Sequence, residues 1–157
     1  MRKIRNPFLD VPGYKCFGCS PDNETGLRMD FFEDGEEIVS IWKPEQRYEG
    51  WLDILHGGIQ ATLLDEIASW VVFVKFLTSG VTSNINMDLL KPVHISKGDI
   101  TLRARLLKKE KRLAHIETTL FDGEGTLCAK ALVTYFVYPR EVAERKLFSV
   151  NYEVCLE

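Results

Sequence analysis

Hydrophobic and polar positions change period along this chain, and the changes divide it into elements. Residues 59 to 77, IQATLLDEIASWVVFVKFL, are apolar on nearly every side of a 3.6-residue repeat, which predicts one long helix ending near Ser79-Gly80. A helix apolar all round is buried. Before it, Leu27 to Glu33 and Glu36 to Lys43 read as two strands joined near Asp34-Gly35. After it the period falls to two. In Val81 to Leu90, Val81, Ile85, Met87 and Leu89 share one face with Ser83, and Thr82, Asn84, Asn86 and Asp88 take the other. Ile100 to Leu107, Leu113 to Phe121 and Thr126 to Tyr138 are further strands, with Asp122-Gly123-Glu124-Gly125 as a turn and Pro139 as a stop. Residues 140 to 148 suggest a short terminal helix. Two strands, a long helix, then several antiparallel strands make an α+β arrangement with one sheet and one principal helix. A strongly curved sheet can wrap such a helix, and a second subunit can close what remains.

No repeat, low-complexity stretch or interdomain linker interrupts residues 1–157, which are expected to form a single domain. Residues 1–26 form a loop-rich N-terminal segment, and residues 139–157 a C-terminal extension. Pro44 to Leu55 is a long irregular connection containing Tyr48, Gly50 and Trp51, and such loops are often functional. At 45% hydrophobic and 27% charged residues the composition is globular, and a net charge of -3 offers no basic footprint for nucleic acid. The basic start, MRKIRNPFLDVPGYK, has no apolar stretch behind it and is not a secretory signal. Asp65, Glu66 and Lys75 interrupt the best candidate for a membrane span. A cytoplasmic protein with no membrane partner is the expectation. The four cysteines, Cys16, Cys19, Cys128 and Cys155, then read as free thiols. Cys16-Phe17-Gly18-Cys19 lacks the second CxxC of a zinc ribbon and the βαβ setting of a thioredoxin-like site. It reads as a tight loop with two small buried thiols, so no metal and no redox cofactor are expected.

The chemistry begins with Asp65 and Glu66, two acids in the middle of the apolar helix. Burying an ionised carboxylate costs several kcal/mol. Acid–base work is the leading reason for a chain to carry that cost, and a satisfied structural network is the bland alternative. His56-Gly57-Gly58 stands at the helix start. Backbone N–H groups there are unpaired, point outward and favour an anion, and glycine lets a substrate approach them. The oxyanion of an attacked carbonyl is such an anion. Helical spacing separates the two acids. Asp65 lies with Gly58, Ala61, Thr62 and Ser69 in a stripe of small or polar residues, where Thr62, Ser69 or Thr82 could satisfy it. Glu66 lies with Ile59, Leu63, Trp70 and Phe73, and is expected to pair with a basic group or reach a subunit boundary.

LHGGIQATLLDE resembles the His-Gly-Gly motif of hot-dog acyl-CoA thioesterases, with an acid eight residues after the first glycine. CFGCSPDNETGLRM is similar to a cysteine-containing stretch in one subgroup of the phenylacetate-pathway branch. GVTSNINMDLLKPV is similar to the family strand that follows the helix. The resemblance covers roughly residues 16 to 138. It implies a hot-dog fold and hydrolysis of an acyl-CoA ester, with coenzyme A as part of the substrate and no cofactor. It assigns the main oxyanion donor to Gly57, with Gly58 beside it. Asp65 becomes the catalytic carboxylate, as nucleophile or general base, with Glu66 as its rival. His56 orients the turn, and Thr82 matches a residue that holds water near the acid. Several relatives place an Asn where Gly50 stands, and the polar neighbours here are Gln46 and Asp53, so the route of attack stays open. Tyr48, Trp51 and Trp70 are candidates for the acyl pocket. Lys91, Lys97 and the cluster Lys108 to Arg112 are candidates for the coenzyme A phosphates, unless the cluster is a solvated turn.

One distance bears on assembly. Eight residues separate Gly57 from Asp65, roughly 12 Å at about 1.5 Å per residue, whereas both groups must come within ~3 Å of the reacting centre. An antiparallel partner helix can bring them together. A homodimer with two composite sites follows, and the family resemblance adds paired dimers, or homotetramers. Two rival activities remain. An enoyl-thioester hydratase or dehydratase would need a histidine beside the acid, and His94 and His115 form no obvious pair with Asp65. A non-catalytic acyl-thioester binding protein would share the scaffold.

Overall fold

The computed structural model describes residues 1–156. At its centre α1 (Gly57–Phe76) lies against a seven-stranded sheet formed by β1 (Arg2–Lys3), β2 (Phe32–Asp34), β3 (Glu37–Trp42), β4 (Gly80–Leu89), β5 (Ile100–Glu110), β6 (Leu113–Phe121) and β7 (Leu127–Val137). The spatial order is β1-β2-β3-β5-β6-β7-β4, and every neighbouring pair is antiparallel. A short α2 (Arg140–Lys146) follows Pro139. Five strands, β3 to β7, touch α1, which requires the sheet to curl around it. This is the α+β hot-dog arrangement.

The core forms where the two periods meet. Leu63, Leu64, Ile67, Val71 and Val72 of α1 are fully buried against Ile38, Leu102, Ile116, Leu120 and Val133 of the sheet. Each such side chain contributes about 1.5–3 kcal/mol of transfer free energy. On β6 burial alternates without a break, with Ala114, Ile116, Thr118 and Leu120 inward. By length and apolarity alone α1 could cross a bilayer, but the sheet packed around it accounts for its apolar composition.

The structure departs from the sequence expectation at the ends of the helix, over residues 27 to 31 and in the register of β4, and β5 runs on to Glu110, past the expected end at Leu107. The helix starts at Gly57, and it stops at Leu77, which takes the left-handed conformation (φ 51°) and returns its N–H to Phe73. Gly80 instead opens β4. Residues 27 to 31 are not strand. Their backbone pairs with the cysteine loop, Leu27 N–H to Phe17 O (2.7 Å) and Met29 N–H to Gly18 O (2.9 Å). Arg28, at φ 53°, breaks the extended run between them. Side chains of β3 replace the missing ladder, the Trp42 indole N–H donating to Leu27 O and the Ser40 hydroxyl to Asp30 O.

The third difference matters for the site. The β4–β7 ladder slips between Thr82 and Asn84, so Ser83 is an extra residue. Directly opposed residues of an antiparallel pair share a face. Thr82 opposes Tyr135, and Ile85, Met87 and Leu89 oppose Val133, Ala131 and Ala129, all on the helix side. The bulge therefore brings Thr82 onto the face that strict alternation denied it, and turns Val81 outward.

Candidate active site

His56 is the N-cap of α1. Its Nδ1 accepts the Gly58 N–H at 2.9 Å, and its carbonyl accepts from Ile59 and Gln60. Its own N–H donates to Tyr48 O, which anchors the cap to the preceding loop. The Gly58 amide is thus occupied, whereas the Gly57 amide has no acceptor among the described residues. Of the two glycine amides expected as oxyanion donors, Gly57 is the one left free. A Cβ on Gly58 would lie 3.1 Å from the His56 ring, and one on Gly57 would lie 3.2 Å from the tip of Leu89.

The Gly57 end of the helix opens into a cleft of about 610 Å³, bordered by Trp51, His56, Gln60, Leu89, Leu90 and Lys91. Trp51 is 81% exposed. Gln60 was not singled out from the sequence. Its amide is buried, with Nε2 donating to Leu55 O and Oε1 lacking a partner among the described residues. Its signal was a polar residue on the buried stripe that continues through Leu63, Leu64 and Ile67.

Two turns along the helix, Asp65 sits half-buried beside β4 and accepts the Thr82 hydroxyl at 2.7 Å on Oδ1. Thr82 is its one hydrogen-bond donor among the described residues, since Thr62 donates to Gly58 O and Ser69 to Glu66 O. Burial pushes the Asp65 carboxyl above its ordinary range, and the Thr82 hydrogen bond opposes that shift. The buried Tyr135, opposite Thr82, interacts through its hydroxyl with Thr82 and Ser69, and burial raises its pKa. Only the bulged register reveals that neighbour.

Glu66 turns the other way, and no basic group meets it among the described residues. Cys16 Sγ stands 3.5 and 3.7 Å from its two oxygens, and the Trp70 indole N–H donates at 3.4 Å. Burial foremost, with the neighbouring Cys16 side chain, pushes its carboxyl up to about 8. The Cys19 side chain, with Gly18 and Cys19 backbone N–H groups, draws the Cys16 thiol down to about 5. The expected pairing of Glu66 with a cation is therefore corrected to a pairing with the cysteine loop.

Other sequence candidates are placed elsewhere. Tyr48 is buried away from the cleft, its hydroxyl donating to Thr25 O and Gly26 O. Gln46 lies exposed on a 3₁₀ turn and does not border the cleft. Trp70 is core, stacked on Phe31. Asp53 fastens its loop to Ser96 and His94, and burial is not what holds its carboxyl below the ordinary range; the Ser96 hydrogen bonds are. Lys97 pairs with Asp122 and Glu124. Lys109 and Arg112 gather near Phe76, at the opposite end of α1 from Gly57. His115 neighbours Thr134 and Glu110, not Asp65.

Residues 52–129 match the family described as the thioesterase superfamily. A protein of Sulfurisphaera tokodaii that carries an esterase designation is 32% identical over 107 residues, 68% of this chain and 71% of that one. Acyl-coenzyme A thioesterase 13 of Mus musculus is 30% identical over 86 residues, 54% of this chain and 61% of its own. The crystal structure of zebrafish thioesterase superfamily member 2 superposes with a TM-score of 0.65 at 24% identity, over 82% of this chain and 90% of that one. Two further archaeal relatives, from Saccharolobus solfataricus and Thermoplasma acidophilum, are matched over 63% and 64% of their length, so the chain spans just under two thirds of each. The chain belongs to the thioesterase superfamily and has its hot-dog fold.

Proposed function

We propose that this chain hydrolyses an acyl-CoA thioester to a carboxylic acid and free coenzyme A, in sites shared by two copies of itself. The observation that carries the reading is an unpaired Gly57 amide on the floor of a cleft, with a Thr82-anchored acid further along the same open helix flank. Family membership and the mouse relative's designation support the substrate class. The two groups are too far apart along one helix to serve one carbonyl. The edge strand β4 supplies the means of joining two copies. Among the described residues its outer side has no strand neighbour, and Ile85 and Leu89 are 39% and 52% exposed, with Leu90 just beyond its end 48% exposed. Pairing β4 with its copy about a two-fold axis sets the two α1 helices antiparallel. Asp65 of one protomer then approaches the partner's Gly57.

In this reading the ionised Asp65 takes a proton from water as the water oxygen bonds to the thioester carbon. The carbonyl electrons move to oxygen, and the Gly57 N–H stabilises that oxyanion. Collapse of the adduct breaks the C–S bond, and the leaving thiolate recovers the proton from Asp65. Thr82 fixes one carboxylate oxygen and leaves the other for the proton. Lys91 and Trp51, at the rim of the cleft, contact the coenzyme A and acyl portions. Thiol release across short, medium, long and aromatic acyl-CoA esters tests this directly. Asp65→Asn is expected to lose about 10² or more in kcat. Saturable binding without thiol release would make the protein a carrier, and undiminished turnover in Asp65→Asn would remove the acid from the mechanism.

A further inference from the structure

Cys16 and Cys19 lack the second cysteine pair of a zinc ribbon in the sequence, but the fold gives them a third ligand from the central helix. The loop Cys16-Phe17-Gly18-Cys19 closes over Glu66. It is pinned from outside by Leu27 and Met29 and closed by the Ser20 N–H on Cys16 O at 3.1 Å. Gly18 is needed for this approach, since a Cβ there would lie 2.5 Å from Cγ of Glu66. One ligand atom from each of Cys16, Cys19 and Glu66 lies within 4.8 Å of the other two, and Cys16 Sγ is 3.5 Å from Glu66 Oε1. A tetrahedral zinc ion, with Zn–S about 2.3 Å and Zn–O about 2.0 Å, separates sulfur from oxygen by about 3.5 Å and sulfur from sulfur by about 3.8 Å. The Cys16–Glu66 spacing matches that sulfur–oxygen separation, and the other two pairs lie within 4.8 Å.

The surroundings are also those of a metal site. The Tyr14 hydroxyl stands 2.7 Å from Cys19 Sγ, and the Trp70 N–H holds Glu66 Oε1, so the ligands have outer partners that fix them. A cavity of about 210 Å³, bordered by Cys16, Cys19, Glu66, Ser69, Phe73 and Tyr135, opens onto the cluster and leaves room for a fourth ligand. Glu66 has no cationic side chain beside it among the described residues, and a buried acid is costly without one. We propose that Cys16, Cys19 and Glu66 bind one zinc-class divalent cation. The cation fastens the N-terminal segment to α1, and it takes no part in the hydrolysis.

The test uses the full chain, reduced and stripped with a chelator under anaerobic conditions, then titrated with cobalt(II) as an optical substitute for zinc. One equivalent is expected to bind with a thiolate-to-cobalt charge-transfer band and tetrahedral visible bands, both discharged by zinc. Cys16→Ser and Cys19→Ser are expected to abolish the charge-transfer band, and Glu66→Gln to weaken binding about tenfold or more. Cys128→Ser leaves the band intact. Zinc is expected to raise the melting temperature of the wild type and not of Cys16→Ser, whose fold is checked by circular dichroism. Absence of the band, a band unaltered in Cys16→Ser, or isolation of the anaerobic protein as a metal-free Cys16–Cys19 disulfide would overturn the proposal. Because the readout is optical, it stands or falls apart from the hydrolysis reading.

Discussion

At the residue scale, the helix start separates two roles that one motif combines. His56 spends its Nδ1 on the Gly58 amide, so its contribution is to the stability of the cap. His56→Ala is expected to cost about 1 kcal/mol in urea unfolding, and His56→Asn to recover most of it, because Asn is among the best N-cap residues. Equal losses in the two variants would contradict the capping role. Thr82 acts on the other group. Thr82→Val keeps the shape and removes the hydroxyl that reaches Asp65 at 2.7 Å. A hydrogen bond to a charged acceptor contributes about 1.5–3 kcal/mol, so kcat is expected to fall roughly tenfold to a hundredfold with little change in KM. The motif His56-Gly57-Gly58 was legible because glycine and a capping side chain act locally. The Thr82–Asp65 contact depends on a strand register that no local pattern reveals. Tyr135, which shares that contact, was invisible for the same reason.

At the element scale, legibility followed how far each segment's hydrogen bonds are satisfied by its own neighbours. The strand Leu113–Phe121 was read to the residue because its alternation faces a helix on one side only. Residues 27 to 31 alternate as well, yet their partners are the cysteine loop and two side chains of β3, which sequence spacing does not encode. The β6–β7 turn is the opposite case. Asp122 is buried, and its Oδ1 accepts Glu124 N–H at 3.0 Å and Thr126 N–H at 2.9 Å, the turn chemistry that Asp-Gly-x-Gly suggests. The Thr126 and Glu124 amides, with Lys97, hold its carboxyl below the ordinary range. A depressed folded-state pKa means stabilisation that is present above the unfolded pKa of about 3.9 and is lost as pH falls through the folded value. Asp122→Asn is therefore expected to be less stable than the wild type near pH 7, by on the order of 1 kcal/mol, with the gap closing on acidification. Chemical denaturation at pH 7 and pH 3 checks the sign, and a gap that widens in acid would refute it.

At the scale of the whole molecule, the proposal of shared sites makes a demand that one protomer cannot meet. Gly57 is the first helical residue, where proline is tolerated because its missing N–H would be unpaired in any case. His56, at φ -58° and ψ 134°, already has the extended backbone that precedes a proline. Gly57→Pro thus deletes the proposed oxyanion donor while keeping the helix start, and about 10²–10³ in kcat is expected to go with it. Asp65→Asn deletes the other half. Unfolding and refolding an equal mixture of the two inactive variants yields hybrid dimers, and in each hybrid one site pairs an intact Asp65 with an intact Gly57. Random reassortment of a two-fold dimer makes half the dimers hybrid, so about one quarter of wild-type activity is expected to return. If both groups served the same site from one chain, every site in the mixture would lack one of them and no activity would return. Under the proposed β4 pairing, charging the exposed edge away from the cleft by Ile85→Arg in both variants is expected to abolish this recovery.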